Sequence, residues 1–406
     1  EGTSIDIQRL KQSWHKLIER HDMLRMVIHA DGQQQVLQDV PYYNIPTLDL
    51  RGKTPQEIEQ QWHETRNHLE AQVLPTEQWP LFELAAHIID DQNTRIYFSF
   101  DLLMGDVWSF LVLSKEWLQL YQEPEIELTP LEVNFRDYVL AEKEILSSDI
   151  FNDQWSYWKK RLPSIPNAPD LPLAIKPSEI EKPRFVRCAY VLEKTPWQAL
   201  KQRAKSAGLT SSLVLCAVYA EVLARYSKQS DFTLNLTLFN RLPLHPQVNE
   251  IVGDFTSLLL LEVNYRSDQT FMQRAKQLFK QLSEDLENNQ INGMRVMREM
   301  GLQQNRNVSM PVVFTSALPI QDNEEGGEWL GKRTFNISQT PQVWLDYQVF
   351  EEQGDLILSW DYVDDLFPEN MVSVMFDAMT QMLRQLAKSD QYWQQSAFDL
   401  LPEYQK

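Results

Sequence analysis

Cysteine is scarce in this chain: there are two, Cys188 and Cys216, among 406 residues. Two thiols cannot supply a disulfide framework, and they fit a reducing compartment; Cys216 lies in an apolar, helix-like stretch and reads as packing. The seven histidines are scattered, and neither residue type falls at metal-ligand spacing, so no zinc site is expected. No apolar run is long enough for a membrane-spanning helix, and no signal peptide is visible. Positive charge is also in short supply, with 38 Lys and Arg against 57 Asp and Glu, a net charge of −19 and a pI of about 4.8. Nucleic acid and anionic membrane surfaces both call for a basic face, so neither is expected as a partner. The expectation is a cytoplasmic protein, 43% hydrophobic and long enough for two cores.

What the chain does have is a polar cluster at 95–109, RIYFSFDLLMGDVWS. Ile96, Phe98 and Phe100 alternate with Arg95, Tyr97 and Ser99, the pattern of a half-buried strand. From Val107 onward the apolar residues fall at mostly helical intervals, so a strand ends near Asp101 and a helix starts near Asp106. Asp101, Asp106 and Ser109 are thereby held in one strand-to-helix corner. Asp106 suits an N-cap, accepting bonds from orphan N–H groups at the positive end of the helix dipole. Capping explains Asp101 less well, because a carboxylate closing an apolar strand needs a partner or water.

The remaining chain divides around proline. Six of the 21 prolines fall between residues 163 and 183, a density that blocks helix and central strand. The expected organisation is an N-terminal lobe over 1–165, an extended connector over 166–184 and a C-terminal lobe over 185–406. In the first lobe the pattern predicts a helix marked by Leu10, Trp14 and Leu17, an Asp31-Gly32 hairpin, a polar helix over 55–72 and a strand over 80–90 pairing near 95–100. Trp155, Tyr157 and Trp158 read as packing aromatics. In the second lobe, strand 186–193 leads to a helix stopped by Gly208, then to the apolar helix 211–227 capped by Thr210. Ser211 and Ser212 read as first-turn residues, with no base arranged to activate them.

Further on, 231–246 reads as a strand ending in a polar knot of Asn240 and Arg241, and 251–263 as a loop feeding a strand. PVVFTSAL, 311–318, is a short strand with two hydroxyls near its end, Thr315 and Ser316, followed by an acidic, mobile-looking loop over 321–332. A Gln353-Gly354 hairpin joins two strands within 338–362, and a final helix is expected from Pro368 with a methionine-rich core face. Ser99-Phe100-Asp101 and Ser359-Trp360-Asp361 form a faint internal echo, each expected to close a strand.

DLLMGDVWS has the pattern D-x-x-x-x-D-x-x-S and resembles the signature of the heterocyclization domains of nonribosomal peptide synthetases. FNRLPLHP and VGDFTSLLL are also similar to that family, and the resemblance spans nearly the whole chain. Condensation domains, the relatives of this family, carry H-H-x-x-x-D-G; aligned on the second acid, Asp101 and Leu102 stand where that signature has its histidines. A histidine-dependent condensation domain is therefore disfavoured. The resemblance implies an α/β fold of two chloramphenicol-acetyltransferase-like lobes arranged as a V-shaped pseudo-dimer. It also implies that the family's first few dozen residues precede Glu1, and that Arg241 pairs with Asp106 across the lobe interface.

In activity, the resemblance implies amide formation between a carrier-bound donor and a carrier-bound Cys, Ser or Thr, then cyclodehydration to a thiazoline or oxazoline. The implied partners are upstream and downstream peptidyl carrier protein domains and a neighbouring adenylation domain. No cofactor is bound directly; phosphopantetheine arms of the carriers deliver the substrates. Losing water from the cyclic intermediate needs a proton delivered to oxygen and another removed from nitrogen, which one aspartate can do if burial raises its pKa from about 3.9. Matched to the family, Asp346 in QVWLD is the acid/base, Thr315 orients it, and Asn240 binds the intermediate. Asp101, Asp106, Ser109 and Arg241 form the structural signature, while Ser316 and Gln342 are candidates for lining the substrate tunnel. On residue type alone Asp346 is a strand-end acid and Thr315 an ordinary β-branched strand residue. A condensation-only acyltransferase and a non-catalytic carrier-docking domain are the alternatives.

Overall fold

The computed structural model describes residues 1–145, 149–318, 329–340 and 342–400. Most of the acidic loop expected over 321–332 lies outside the described residues. The chain forms two compact units. Unit 1 holds Glu1–Glu144, Phe239–Thr256 and the described part of Asp322–Asn336; unit 2 holds Ile145–Leu238, Ser257–Gln321 and Ile337–Lys406, again where described. The proline-rich stretch thus lies within unit 2, where Ile165 and Leu171 are buried in the core and the Ala174 N–H donates to the Leu366 carbonyl at 2.9 Å.

Unit 1 contains β1 (Gly2–Thr3), β2 (Met26–Ile28), β3 (Gln34–Val36), β4 (Thr47–Asp49), β5 (Phe82–Ile88) and β6 (Asn93–Phe100). Four of these make a mixed sheet in the order β1-β6-β5-β4, parallel only between β4 and β5. The hairpin of β2 and β3 turns through Gly32 at φ +81°, a left-handed conformation that glycine adopts without a Cβ penalty. Helix Ile7–Arg20 packs against helix Val107–Gln122: the rings of Trp14 and Trp117 lie 4.7 Å apart, and Trp117 Nε1 donates to Ser13 Oγ at 2.9 Å. The polar helix Pro55–Ala71 has no buried residue and is started by a reciprocal capping box of Thr54 and Glu57. Along β6, alternation gives way to partial cover on both faces: Phe98 and Phe100 pack on the unit's core, while on the other face the Tyr97 hydroxyl meets His87 Nδ1 at 3.0 Å.

Unit 2 is built on β7 (Phe185–Leu192), β8 (Asp231–Phe239), β9 (Thr256–Asn264), β10 (Val312–Ser316), β11 (Leu345–Glu352) and β12 (Asp355–Val363), with the last residue of β8 and the first of β9 assigned to unit 1. They form one sheet in the order β7-β12-β11-β10-β8-β9. β10 runs parallel to both neighbours, and the β11–β12 hairpin turns through Gln353 and Gly354, both at positive φ. Helix Ser211–Tyr226 is buried continuously from Leu213 to Leu223, so its apolar run marks a core helix. Among the described residues no single helix is long and apolar enough to cross a membrane. The last long helix starts at Met371, later than expected. Pro368 instead stands before the first turn and accepts the Met371 N–H at 3.0 Å, while Asn370 takes the left-handed cap position. Met371, Met375, Met379 and Met382 are buried in the core, as their spacing predicts.

Candidate active site

The strand-to-helix corner folds around Asp106. It is the N-cap of helix Val107–Gln122, and its Oδ1 accepts the Ser109 N–H at 2.8 Å. A capping carboxylate inside a core needs a cation, and Arg241 Nη2 supplies it at 3.0 Å from Oδ1 and 3.0 Å from Ser109 Oγ. The Arg241 side chain is 4% exposed and that of Asp106 0%. Arg241 Nη1 donates to the carbonyls of Val248 (2.9 Å) and Ile251 (2.8 Å), so one guanidinium ties its own loop to the corner.

Ser109 Oγ lies within bonding distance of Asp106 Oδ1 (2.7 Å) and the Gly253 carbonyl (2.8 Å), and accepts the Gly253 N–H at 3.1 Å. A Cβ on Gly253 would stand 2.1 Å from the Phe135 ring, which is why the loop carries glycine there. The Asp106–Arg241 pair forms as anticipated, but inside unit 1, because segment Phe239–Thr256 leaves β8 and packs there before β9 begins.

Asp101 resolves its own burial locally. Its Oδ1 accepts the Leu103 N–H at 3.0 Å and its carbonyl accepts the Met104 N–H at 3.0 Å, an Asx-type turn that reverses the chain after β6. Leu102 and Leu103 are left exposed on that turn. Asn240 also belongs to unit 1; its carbonyl accepts from the Tyr138 hydroxyl at 3.1 Å, and its N–H donates to Phe255.

Unit 2 brings two of its candidates, Asp346 and Thr315, together on one face of its sheet. Asp346 on β11 sits opposite Asp361 on β12, which sits opposite Arg187 on β7. Thr315 on β10 sits opposite both Gln348 and Thr237. Alternation along each strand puts these side chains in one polar row crossing five strands. Thr315 Oγ1 is 3.2 Å from Asp346 Oδ1 and 3.0 Å from Thr237 Oγ1. Gln348 Nε2 donates to Asp346 Oδ2 at 2.6 Å.

Burial pushes the Asp346 carboxyl up to about 6; the charge of Asp361 pushes the same way, while the bonds from Gln348 and Thr315 and the charge of Arg187 oppose it. Each carboxyl oxygen thus has its own side-chain partner, Thr315 at Oδ1 and Gln348 at Oδ2. Ser316 points to the opposite face, its Oγ 2.8 Å from Ser212 Oγ at the start of helix Ser211–Tyr226. Gln342 is exposed on the turn before β11. Asp361 lies inside β12, whereas Asp101 lies past the end of β6, so the two tripeptides occupy different strand positions.

Sequence reasoning missed Gln348, Arg187 and Thr237. Gln348 was within reach, since two residues from Asp346 on a strand means the same face. Arg187 and Thr237 have no local signal, for only the sheet order brings them near.

Two mixed α/β units, one carrying a buried Asp–Arg corner and the other an aspartate whose carboxyl burial raises, define the class. The chain belongs to the condensation-domain family, whose profile matches residues 2–406. It is similar to pyochelin synthetase PchF of Pseudomonas aeruginosa, 36% identical over 390 residues, covering 96% of this chain and 21% of that protein. Phenyloxazoline synthase MbtB of Mycobacterium tuberculosis is 32% identical over 415 residues, covering 100% of this chain and 29% of that protein. The chain thus spans under a third of either synthetase. Among solved structures, the cyclization-docking bidomain of the synthetase EpoB from Sorangium cellulosum superposes with a TM-score of 0.88 at 37% identity, covering 97% of this chain and 80% of that one.

Proposed function

We propose that this chain is a heterocyclization domain of a nonribosomal peptide synthetase. The observation that carries the reading is Asp346, half-buried on β11 and bonded through Oδ1 to Thr315, with its carboxyl raised to about 6. The absence of histidine from the Asp101–Ser109 corner and the similarity to the EpoB cyclization-docking bidomain support it.

In the first reaction the amine of a carrier-bound Cys, Ser or Thr attacks the donor thioester; the C–N bond forms, the C–S bond breaks and the donor's pantetheine thiol leaves. Holding two pantetheine arms end to end supplies much of this rate by proximity. In the second reaction the side-chain thiol or hydroxyl adds to the new amide carbon, converting its oxygen to a hydroxyl. The C–O bond then breaks as water departs, and loss of the N–H proton closes the C=N bond. Asp346 serves this step by taking the proton from nitrogen and giving one to the departing oxygen, while Thr315 fixes the carboxyl.

Asp106, Ser109 and Arg241 hold architecture and Gln342 is assigned to substrate binding, whereas Ser316, bonded to Ser212 on the face of the sheet opposite Asp346, is not. Upstream and downstream carrier domains with their phosphopantetheine arms, and an adjacent adenylation domain, are the partners. Carrier domains loaded with donor and with Cys, Ser or Thr, incubated with the full module, test this by product mass. The expected product is the amide less one water; an intact amide as end product would make the chain a condensation catalyst, and unchanged carriers a docking platform.

A further inference from the structure

The polar row does not stop at the Asp346–Thr315 pair, and its continuation specifies which carboxyl oxygen carries the proton. Arg187 Nη2 donates to Gln348 Oε1 at 3.2 Å, and the same guanidinium grips Asp361 through Nε at 2.6 Å and Nη2 at 2.5 Å. Asp361 is completely buried, and its Oδ2 also accepts the Ser338 N–H at 2.9 Å. An arginine only donates, so the Gln348 amide must present its oxygen to Arg187. Its NH2 is then left facing Asp346, and an NH2 also only donates.

We infer that Arg187, locked by Asp361, orients Gln348 so that its amide holds Asp346 Oδ2 as a permanent acceptor, leaving Oδ1, beside Thr315, as the oxygen that gains and loses the proton. Gln348 and Arg187 are positioning residues for the cyclodehydration step, and this inference rests on the proposed role of Asp346. The hydroxyl chain fits both protonation states. With Asp346 ionised, Thr315 donates to Oδ1 and accepts from Thr237; with Oδ1 protonated, the carboxyl donates to Thr315, which then donates to Thr237 at 3.0 Å. One hydrogen serves each link in either direction. No such reversal is open at Oδ2, because Gln348 cannot turn without presenting N–H to Arg187.

The test measures amide formation and ring closure separately, in single turnovers of the full module with loaded carriers, across pH 5 to about 9. Gln348→Met removes the donor and keeps the shape. Gln348→Glu sets a second carboxylate against Oδ2. Arg187→Lys keeps a cation against Asp361 but lacks a second nitrogen for Gln348. Ring closure is expected to slow about ten- to a hundredfold in each, the worth of one charge-assisted hydrogen bond, with amide formation unchanged.

The pH at which ring closure turns should also move upward, by about one unit or more in Gln348→Glu, since a donor is lost and a like charge gained. Wild-type rates and profile in Gln348→Met and Gln348→Glu would overturn the inference. So would loss of both reactions in proportion, the mark of a merely structural role. Asp346→Asn run alongside separates the two readings: if it still cyclizes, the Asp346 assignment itself has failed, whereas if it does not and the Gln348 variants are silent, only the positioning role has.

Discussion

Replacing Arg241 with methionine tests what the corner is for. The substitution keeps most of the side chain's apolar volume but strips the cation from Asp106, whose side chain is 0% exposed. Among the described residues Asp106 then keeps Ser109 as its donor, through the N–H at 2.8 Å and the hydroxyl at 2.7 Å. A buried carboxylate left without its cation costs about 3–5 kcal/mol. The carbonyls of Val248 and Ile251 lose their donor as well, about 1 kcal/mol each.

At 1.4 kcal/mol per factor of ten, amide hydrogen exchange over 239–256 should accelerate by at least about a hundredfold, because that segment's anchorage in unit 1 passes through this guanidinium. Asp106→Asn added to Arg241→Met removes the stranded charge and should recover much of the loss, giving a clear coupling in the double-mutant cycle. Both reactions should fall together, since neither Arg241 nor Asp106 is assigned a proton. Exchange over 239–256 within about threefold of wild type, with product formation nonetheless abolished, would refute the architectural assignment.

Three further outcomes are expected. Asp285 is fully buried against Arg161 and Tyr157, and burial raises its carboxyl from 3.8 to about 6. Since the folded value exceeds the unfolded one, the native state holds a proton that the unfolded chain releases, so stability falls as pH rises from about 4 to about 6. The loss reaches about 3 kcal/mol, and urea titrations should show it flattened in Asp285→Asn. Gly253→Ala drives a methyl into the Phe135 ring and should cost about 1–3 kcal/mol in thermal unfolding; an unchanged midpoint would show that the loop shifts freely. Thr315→Val keeps the volume and removes the hydroxyl beside Asp346, so ring closure should slow about ten- to a hundredfold while amide formation proceeds.

Much of this was legible in the sequence wherever the cause is local. The Asp106 cap, the Thr210 cap, the Gly32 and Gly354 turns and the methionine face of the last helix each depend on residues within a turn or two of one another. The division into units was less legible, because segment Phe239–Thr256 belongs with a core made mostly by residues before Glu144, and proline density says nothing of that return. The start of the last helix was misread because Pro368 supplies a carbonyl from outside the helix. In the candidate site, Thr315 and Asp346 were named through family resemblance. Gln348 shares a strand with Asp346 and was readable by alternation, but the other neighbours come from β7, β8 and β12, and the strand order that joins them is a long-range property no local pattern encodes.

The central claim is that Asp346 moves the proton that turns an amide into a ring. With carriers loaded with donor and acceptor, the most direct measurement is product mass from the full module carrying wild-type or Asp346→Ala domain. The account predicts the amide less one water for wild type and the intact amide, formed at near wild-type rate, for the variant. Continued water loss by Asp346→Ala would contradict it and move the proton carrier elsewhere.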